Sequence, residues 1–269
     1  MKNIPFFHLD AFADETFRGN PAAVCLLDVW QTDATLQAIA AENNLPETAF
    51  LVPRGNEYDL RWFSPKVEVD LCGHATLAAA AVLFTERNVM GDMVRFHSRS
   101  GPLQVSRAGE VFTLDFPARP PETCEPPEAL LRGLGCRPSC VFKSRDYLAV
   151  FATEAEVRSL APDFAVLKTL DCLGIIATAP GHGADFVSRF FAPAAGIDED
   201  PVTGSAHCTL IPYWSQRLGK TTLFARQVSQ RGGELFCKLA GERVHIGGKA
   251  VLYLRGEIVL DKNVTDHEK

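Results

Sequence analysis

Two side chains capable of acid/base or thiol chemistry flank a glycine at the start of an apolar segment. Cys72, Gly73 and His74 precede a run of small and apolar residues from Ala75 to Phe84, which predicts a helix. A helix without a polar face is buried on all sides, although its first turn still carries unpaired N–H groups and a partial positive charge. The start of this helix is therefore a predicted site for a carboxylate or another anion.

Glu47 is a second candidate because it opens a predicted strand, 47–52, next to apolar residues. A carboxylate that is partly removed from water can take up and release a proton at neutral pH. An exposed glutamate at a strand start gives the same pattern, and taken alone the pattern favours that simpler interpretation. The turn Gly19-Asn20-Pro21 also has two interpretations: it fits either a tight connection or a backbone surface beside a ligand.

The composition argues against several functional classes. The 269 residues suffice for one large domain or two ordinary ones, and 46% hydrophobic with 22% charged residues is typical of a globular enzyme. A formal charge of −6 without a run of Lys and Arg argues against a nucleic-acid partner. No apolar run is long enough to span a membrane and the first residues lack a signal-peptide core, which predicts a cytoplasmic protein without a membrane partner. The eight cysteines include no Cys-x-x-Cys pair, so we expect buried thiols and no metal site.

The elements that must position these residues fall into two halves. The segment 117–127 holds five prolines in eleven residues and is the predicted boundary. We expect an N-terminal lobe over 1–118, with a C-terminal strand at 257–261 available to complete it, and a C-terminal lobe over 119–256. One helix over 153–168 and separate strands over 249–254 and 257–260 are also expected.

A repeat relates the two halves. Phe63-Ser64-Pro65 precedes an acidic stretch and the helix that starts at Gly73, and Phe191-Ala192-Pro193 precedes an acidic stretch and a helix that starts at Gly204. This pattern predicts two lobes of one architecture, each a sheet around a buried helix. If the lobes face each other, both helix starts point into one cleft that fits a small acidic ligand. A chance likeness of two short glycine-led helices is the alternative.

Several segments, taken together and in order, resemble the phenazine-biosynthesis isomerase (PhzF-like) family, which is structurally akin to diaminopimelate epimerase. The matching segments are Asp10-Ala11-Phe12, Gly19-Asn20-Pro21-Ala22-Ala23-Val24, Leu45-Pro46-Glu47-Thr48-Ala49-Phe50, Arg61-Trp62-Phe63-Ser64-Pro65, Cys72-Gly73-His74-Ala75-Thr76-Leu77, Arg189-Phe190-Phe191-Ala192-Pro193, Glu199-Asp200-Pro201-Val202-Thr203-Gly204-Ser205-Ala206 and Gln227-Val228-Ser229-Gln230-Arg231-Gly232-Gly233. The resemblance implies an α+β fold of two pseudo-symmetric lobes, each a β-barrel-like sheet wrapped around a central apolar helix. It further implies a site in the cleft between the lobes and a homodimer.

The resemblance also assigns roles. Glu47 would be the acid/base that moves a proton between carbons, with His74 and Asp200 as its polar partners. Gly73 and Ser205 would grip the substrate carboxylate at the two helix starts. The remaining residues of the implied substrate site are Asn20, Cys72, Gly204, Ser229 and Gly232. Proton transfer of this kind requires no metal or organic cofactor.

One departure bears on the chemistry. Diaminopimelate epimerases use two opposed cysteines, one at each helix start, whereas here only Cys72 precedes its glycine and Thr203 stands before Gly204. A two-cysteine racemase is therefore disfavoured, and a buried structural thiol is preferred for Cys72 over a reactive thiolate. The leading hypothesis is a cofactor-independent isomerase that acts on a small carboxylate-bearing molecule. An amino- or imino-acid racemase or epimerase and a non-catalytic binding protein are the alternatives, and the sequence does not name the substrate.

Overall fold

The computed structural model describes residues 2–261, and these form eighteen strands and six α-helices. The strands are β1 Lys2–Ala11, β2 Asn20–Leu26, β3 Glu47–Arg54, β4 Glu57–Phe63, β5 Glu68–Val69, β6 Met93–Ser98, β7 Gly101–Ala108, β8 Val111–Pro117, β9 Glu122–Thr123, β10 Cys140–Lys143, β11 Tyr147–Val150, β12 Ile175–Pro180, β13 Phe186–Ala192, β14 Ile197–Asp200, β15 Thr222–Gln227, β16 Gly233–Ala240, β17 Arg243–Gly248 and β18 Ala250–Leu260. The helices are α1 Asp33–Asn43, α2 Gly73–Thr85, α3 Glu128–Leu134, α4 Glu154–Ser159, α5 Phe164–Leu167 and α6 Gly204–Leu218.

The chain divides into two compact units. The first comprises the described residues up to Asp115 and those from Gly248 onward, and the second comprises Phe116–Gly247. The division therefore differs from the one drawn from the sequence at 118/119 and 256/257. Residues 248–256 belong to the first unit and not to the second, because β18 runs unbroken from Ala250 and pairs with β1.

In the first unit the strands pair in the order β18-β1-β2-β3-β4-β6-β7-β8, with β5 beside β4. The β2–β3 and β4–β6 pairs are parallel and the others are antiparallel. Parallel neighbours need a crossover connection, which α1 and α2 supply respectively. The start of α2 is thereby fixed to the strand β4 that precedes it.

The second unit repeats this order. Its strands pair as β9-β10-β11-β12-β13-β15-β16-β17, with β14 beside β13, and the β11–β12 and β13–β15 pairs are parallel. The crossover into β12 carries α4 and α5, and the crossover into β15 carries α6. The repeat predicted from the sequence is therefore present in the strand topology.

The repeat extends to two partly buried ion pairs. The guanidinium of Arg61 donates two hydrogen bonds to Glu68, at 2.7 and 2.8 Å, and the guanidinium of Arg189 donates two to Glu199 at the same distances. Each guanidinium also stacks on the phenylalanine two residues later, Phe63 or Phe191, at 5.0 and 4.9 Å. A bidentate arginine–carboxylate pair fixes geometry, so each clamp holds the short strand that leads to α2 or α6.

The two central helices form the cores. Every residue of α2 from His74 to Phe84 is buried, as its sequence predicts. Helix α6 is buried from Ala206 to Ser215 and becomes polar only in its last turn. Among the described residues, no helix is long and apolar enough to cross a membrane.

Two local predictions were wrong. The expected helix over 153–168 is interrupted: α4 ends at Ser159 and α5 begins at Phe164. Pro162 lies between them, and the residue before a proline is disfavoured in helical geometry. The expected strands 249–254 and 257–260 are one strand, β18, because Gly256 continues the ladder opposite Phe6.

Candidate functional site

The first turn of α2 begins without a side-chain capping hydrogen bond among the described residues. Cys72 is the N-cap residue in extended geometry, and within the described residues its side chain makes no capping hydrogen bond. The Thr76 hydroxyl bonds back to the Cys72 carbonyl at 2.6 Å, which fixes the first turn from inside the helix. The uncapped N–H groups and the helix dipole together favour an anion here.

Glu47 and His74 meet at this helix start. Oε2 of Glu47 lies 3.1 Å from Nε2 of His74, and the two side chains are only 13% and 7% exposed. The local sequence places Glu47: α1 ends at the left-handed Asn44, Pro46 prevents further helix, and β3 begins at the next residue. Glu47 is therefore largely shielded from solvent. This contradicts the simpler interpretation of the sequence, an exposed glutamate at the start of a strand.

Asn20 holds the other side of the imidazole. Its amide nitrogen lies 3.2 Å from Nδ1 of His74, and the residue is fully buried at the start of β2. The Asn20 amide can donate to an unprotonated Nδ1 through its nitrogen, or accept from a protonated Nδ1 through its oxygen once the amide is turned, and in both cases Nε2 faces Glu47. Gly19 makes this approach possible, because a Cβ there would lie 2.2 Å from the Ala11 carbonyl oxygen.

The buried surroundings set the protonation of the two α2 side chains. Burial and the nearby Glu47 carboxylate raise the pKa of the Cys72 thiol to about 11, so it is a neutral thiol at pH 7. Burial alone would lower the pKa of His74, but the hydrogen bonds of the ring with Cys72 and Glu47 and the negative charge of Glu47 raise it above the ordinary value. The structure therefore favours the thiol for Cys72, as expected from the sequence, and a well-held proton on His74.

The same three side chains also have the chemistry of metal ligands. One donor atom from each of Glu47, Cys72 and His74 lies within 4.8 Å of the other two. Sγ of Cys72 lies 3.5 Å from Nδ1 and 3.9 Å from Nε2 of His74. The family resemblance implied that these residues share a site, but no metal-ligand spacing was visible, because 25 positions separate Glu47 from Cys72.

In the second unit, Asp200 is built into a hydrogen-bond network before α6. Its Oδ2 accepts from the Thr203 hydroxyl at 2.6 Å, and its backbone carbonyl accepts from the Gln227 amide at 2.8 Å. Gln227 is 1% exposed and also accepts from the Thr203 N–H at 2.8 Å. Thr203 is the N-cap of α6 and, within the described residues, does not cap it, so Gly204 and Ser205 begin a second open helix start.

Ser205 has a cationic neighbour. Nη2 of Arg145 donates to its hydroxyl at 3.1 Å, while the same guanidinium is paired with Asp146 at 2.9 Å. Asp146 is 1% exposed and also accepts from the Gly174 N–H at 3.1 Å. Arg145 thus places a guanidinium donor, whose charge is balanced by Asp146, beside the start of α6.

Ser229 and Gly232 form a structural turn. The Ser229 hydroxyl donates to the Pro201 carbonyl at 2.8 Å and accepts from the Gly232 N–H at 3.1 Å. These bonds hold the loop after β15 against the segment that carries Asp200. A substrate contact for either residue stays a prediction.

Sequence reasoning missed two residues that shape these helix starts, Arg145 and Gln227. Gln227 lies in one of the matching segments, but its role depends on the burial of its amide, which only the fold shows. Arg145 lies in a three-residue turn between β10 and β11, where an arginine is ordinary, and only the fold brings it to Ser205.

Comparison with known proteins gives a family. Over residues 9–256 the chain matches the family of phenazine biosynthesis-like proteins. It is similar to an uncharacterized isomerase of Pseudomonas aeruginosa, with 55% identity over 257 residues that cover 96% of this chain and 99% of that protein.

Solved structures agree. The crystal structure of a PhzF-family phenazine biosynthesis protein from Enterococcus faecalis has a TM-score of 0.95 and 49% identity, and the match covers 96% of this chain and all (100%) of that one. A predicted epimerase of Pseudomonas aeruginosa, at 21% identity and a TM-score of 0.72, covers 96% of this chain and 100% of its own and shows the fold alone. The predicted α+β fold of the diaminopimelate epimerase type is confirmed.

Proposed function

The chain belongs to the phenazine biosynthesis-like (PhzF) family of isomerases, and from that premise we propose that it moves a proton within a small, carboxylate-bearing substrate by means of Glu47. The observation that carries this proposal is the buried contact between Glu47 and His74, 3.1 Å long, at the open start of α2. A base, a fixed proton donor and an anion-binding helix start stand within one small volume of the first unit.

The proposed reaction has two steps. The Glu47 carboxylate takes a proton from a carbon of the substrate, and the electron pair left behind is delocalised toward the substrate's unsaturated group. The Nε2–H of His74 and the first N–H groups of α2 stabilise the developing negative charge. Glu47, now a carboxylic acid, returns the proton to a different carbon, so atoms and charge balance and no oxidant is consumed.

His74 acts in this scheme as a donor and not as the base. Its proton faces Glu47, and its raised pKa means that the proton is held firmly at neutral pH. Asn20 fixes the ring from the opposite nitrogen. A histidine held in this way orients the Glu47 carboxylate and places a proton donor beside it throughout the reaction.

A racemase with two thiols is not favoured by this chain. Cys72 is a neutral thiol at pH 7 because its pKa is about 11, and the residue in the corresponding position before α6 is Thr203. Four points stay proposals that follow from the family resemblance: Asp200 as a polar partner of Glu47 with Ser205 as a contact of the substrate carboxylate, the small carboxylate as substrate class, a homodimer, and catalysis without a cofactor.

Deuterium exchange tests the proposal. Small unsaturated carboxylic acids are incubated with the enzyme in heavy water, and deuterium on carbon is followed by mass spectrometry and NMR. Substrates are first selected by thermal shift, since a specific ligand raises the melting temperature by mass action. We expect uptake with wild type and a loss of about 10²–10⁴-fold in rate with Glu47→Gln.

Glu57→Gln is the matched control, because Glu57 also contacts a histidine, His97, but at a partly exposed position. It should exchange at the wild-type rate. Uptake that survives Glu47→Gln would refute Glu47 as the base, and inversion at a stereocentre would identify an epimerase. A ligand that binds wild type without any exchange would identify a binding protein.

A further inference from the structure

We propose that Glu47, Cys72 and His74 form a binding site for one thiophilic divalent cation, such as Zn²⁺, at the start of α2. The three residues supply a carboxylate oxygen, a sulfur and an imidazole nitrogen. Their donor atoms lie within 4.8 Å of one another, although β3 and α2 bring them together from separate parts of the chain. The sequence had predicted no metal site.

The spacing of the donors fits a tetrahedral ion. Zn²⁺ binds sulfur at about 2.3 Å and nitrogen or oxygen at about 2.0–2.2 Å, so neighbouring donors lie about 3.3–3.7 Å apart. The Glu47 oxygen and Nε2 of His74 are 3.1 Å apart, and Sγ of Cys72 is 3.9 Å from the same nitrogen. The Glu47 oxygen and Sγ of Cys72 lie within 4.8 Å of each other, and Sγ is nearer to Nδ1 of His74, at 3.5 Å, than to Nε2. Cys72 must therefore turn about its Cα–Cβ bond to bring Sγ to an ion bound at Nε2.

The donor types select the ion. A mixed set of sulfur, nitrogen and oxygen suits Zn²⁺, Cd²⁺ or Co²⁺ and not Mg²⁺ or Ca²⁺, which prefer oxygen alone. Three protein ligands leave a fourth tetrahedral position for water or another small ligand. Burial protects the set from bulk solvent, since Cys72 and His74 are each about 7% exposed.

Charge and proton balance are consistent with binding. The Cys72 thiol loses its proton to solvent as the metal–sulfur bond forms, and Glu47 binds as the carboxylate. His74 releases its Nε2 proton to solvent, binds the ion through Nε2 and carries a proton on Nδ1, toward Asn20, whose amide turns so that its oxygen accepts. Two anionic ligands outweigh the partial charge of about +0.5 at the helix N-terminus.

The expected consequence is inhibition. A bound cation occupies the Glu47 lone pair that we propose as the base, so proton transfer stops. This consequence depends on the proposed function, whereas binding itself depends only on the three ligands. The two are therefore measured separately.

Cadmium titration tests the binding. Cd²⁺ is added to the enzyme while its thiolate-to-metal charge-transfer absorption is recorded in the ultraviolet. All variants carry Cys136→Ser, because Cys136 is an exposed thiol that can bind metal by itself. We expect one saturable equivalent, its loss with Cys72→Ser, a weakening of at least about tenfold with His74→Gln, and displacement by Zn²⁺.

Cys208→Ser is the matched control, since Cys208 is a buried thiol within α6. It should retain the absorption change. Each variant's melting temperature without metal shows that it is folded, and His74→Gln leaves all cysteines in place. Absorption that persists in Cys72→Ser, or no saturable binding to the Cys136→Ser protein, would overturn the proposal. Deuterium exchange then reports inhibition, and binding without exchange by the metal-free enzyme would refute only the proposed function.

Discussion

At the scale of single residues, the two units share a frame and differ in their reactive groups. Glu68 and Glu199 each precede the first helical glycine by five positions, so the segments align without gaps from there. Cys72 then corresponds to Thr203, and His74 corresponds to Ser205. The thiol and imidazole of the first unit are thus two hydroxyls in the second.

Glu47 has no acidic counterpart in the second unit. Thr48 pairs with Phe63 and Ile175 pairs with Phe191, so the repeat sets Gly174 where the first unit has Glu47. A Cβ on Gly174 would lie 2.2 Å from the ring of Phe190. A side chain at that position would require the Phe190 ring to move, and no carboxylate stands there, which supports a mechanism with a single working carboxylate at the repeated site.

Replacement of Asn20 tests how the imidazole is held. Asn20→Ala removes the hydrogen-bond partner of Nδ1 of His74, so the ring is no longer held with Nε2 toward Glu47. Loss of a buried hydrogen bond that leaves a group unsatisfied costs about 1–3 kcal/mol, which corresponds to about 5- to 150-fold in rate. The exchange rate of Asn20→Ala should fall by that factor. An unchanged rate in a folded variant would show that Asn20 does not orient His74.

At the scale of elements, the apolar composition of α2 and the Phe-Ser-Pro and Phe-Ala-Pro repeat were sufficient to predict two buried helices in matching surroundings. Side-chain partners were not predictable, because they depend on register. Asn20 and His74 are 54 positions apart, and no local pattern shows that β2 and the start of α2 meet. The clamp between Arg61 and Glu68 likewise needs the pairing of β4 with β5.

Helix α6 contains a histidine that makes stability depend on pH. His207 is fully buried and donates from Nδ1 to the Thr203 carbonyl at 2.9 Å. Burial lowers its pKa to about 4, from 6.5, so it is neutral in the folded protein at pH values where the unfolded chain binds a proton. The neutral His207 therefore contributes to the free energy of unfolding in full above pH 6.5. This contribution, about 3 kcal/mol in total, is lost as the pH falls toward 4.

Urea unfolding at a series of pH values measures this effect. The free energy of unfolding of wild type should fall more steeply between pH 6.5 and 4 than that of His207→Phe, which cannot titrate. The comparison uses slopes, so a change in the variant's absolute stability does not affect it. Parallel slopes for the two proteins would contradict the assignment.

The clamp before α6 gives a second stability prediction. Arg189 binds both oxygens of Glu199 and also donates to the Leu160 carbonyl at 2.8 Å. Lysine keeps the charge but cannot donate two parallel hydrogen bonds to Glu199. Arg189→Lys should therefore lower the free energy of unfolding by about 1–3 kcal/mol. Arg54→Lys, in an exposed pair with Asp59, should change it by less than about 1 kcal/mol. Equal losses in urea unfolding would contradict a special role for the clamp.

At the scale of the whole molecule, the two-lobe architecture was predictable and its boundaries were only approximate. The proline-rich segment 117–127 marks the first crossing between units to within a few residues of Asp115. The second crossing, at Gly247, has no comparable signal. The strand that follows, β18, belongs to the first unit because it pairs with β1, nearly the whole chain length away. A pairing at that separation cannot be recognised from the local sequence.

The pairing of β18 with β1 is therefore the part of the fold that most needs a direct test. Strand β18 pairs with β1 from Lys2↔Leu260 to Ala11↔Ala250. Successive residues of a strand point to opposite faces. Ile258 packs against the core cluster of Ile4, Cys25 and Leu36, whereas its neighbour Val259 is 57% exposed.

A matched pair of substitutions uses this alternation. Ile258→Asp places a carboxylate against that core and should lower the free energy of unfolding by about 2–3 kcal/mol, whereas Val259→Asp should stay within about 0.5 kcal/mol of wild type. Urea unfolding followed by circular dichroism measures both. Because a shift of one residue in register exchanges the two faces, a reversed order would disprove the pairing, and equal small effects would show that β18 does not cover this core.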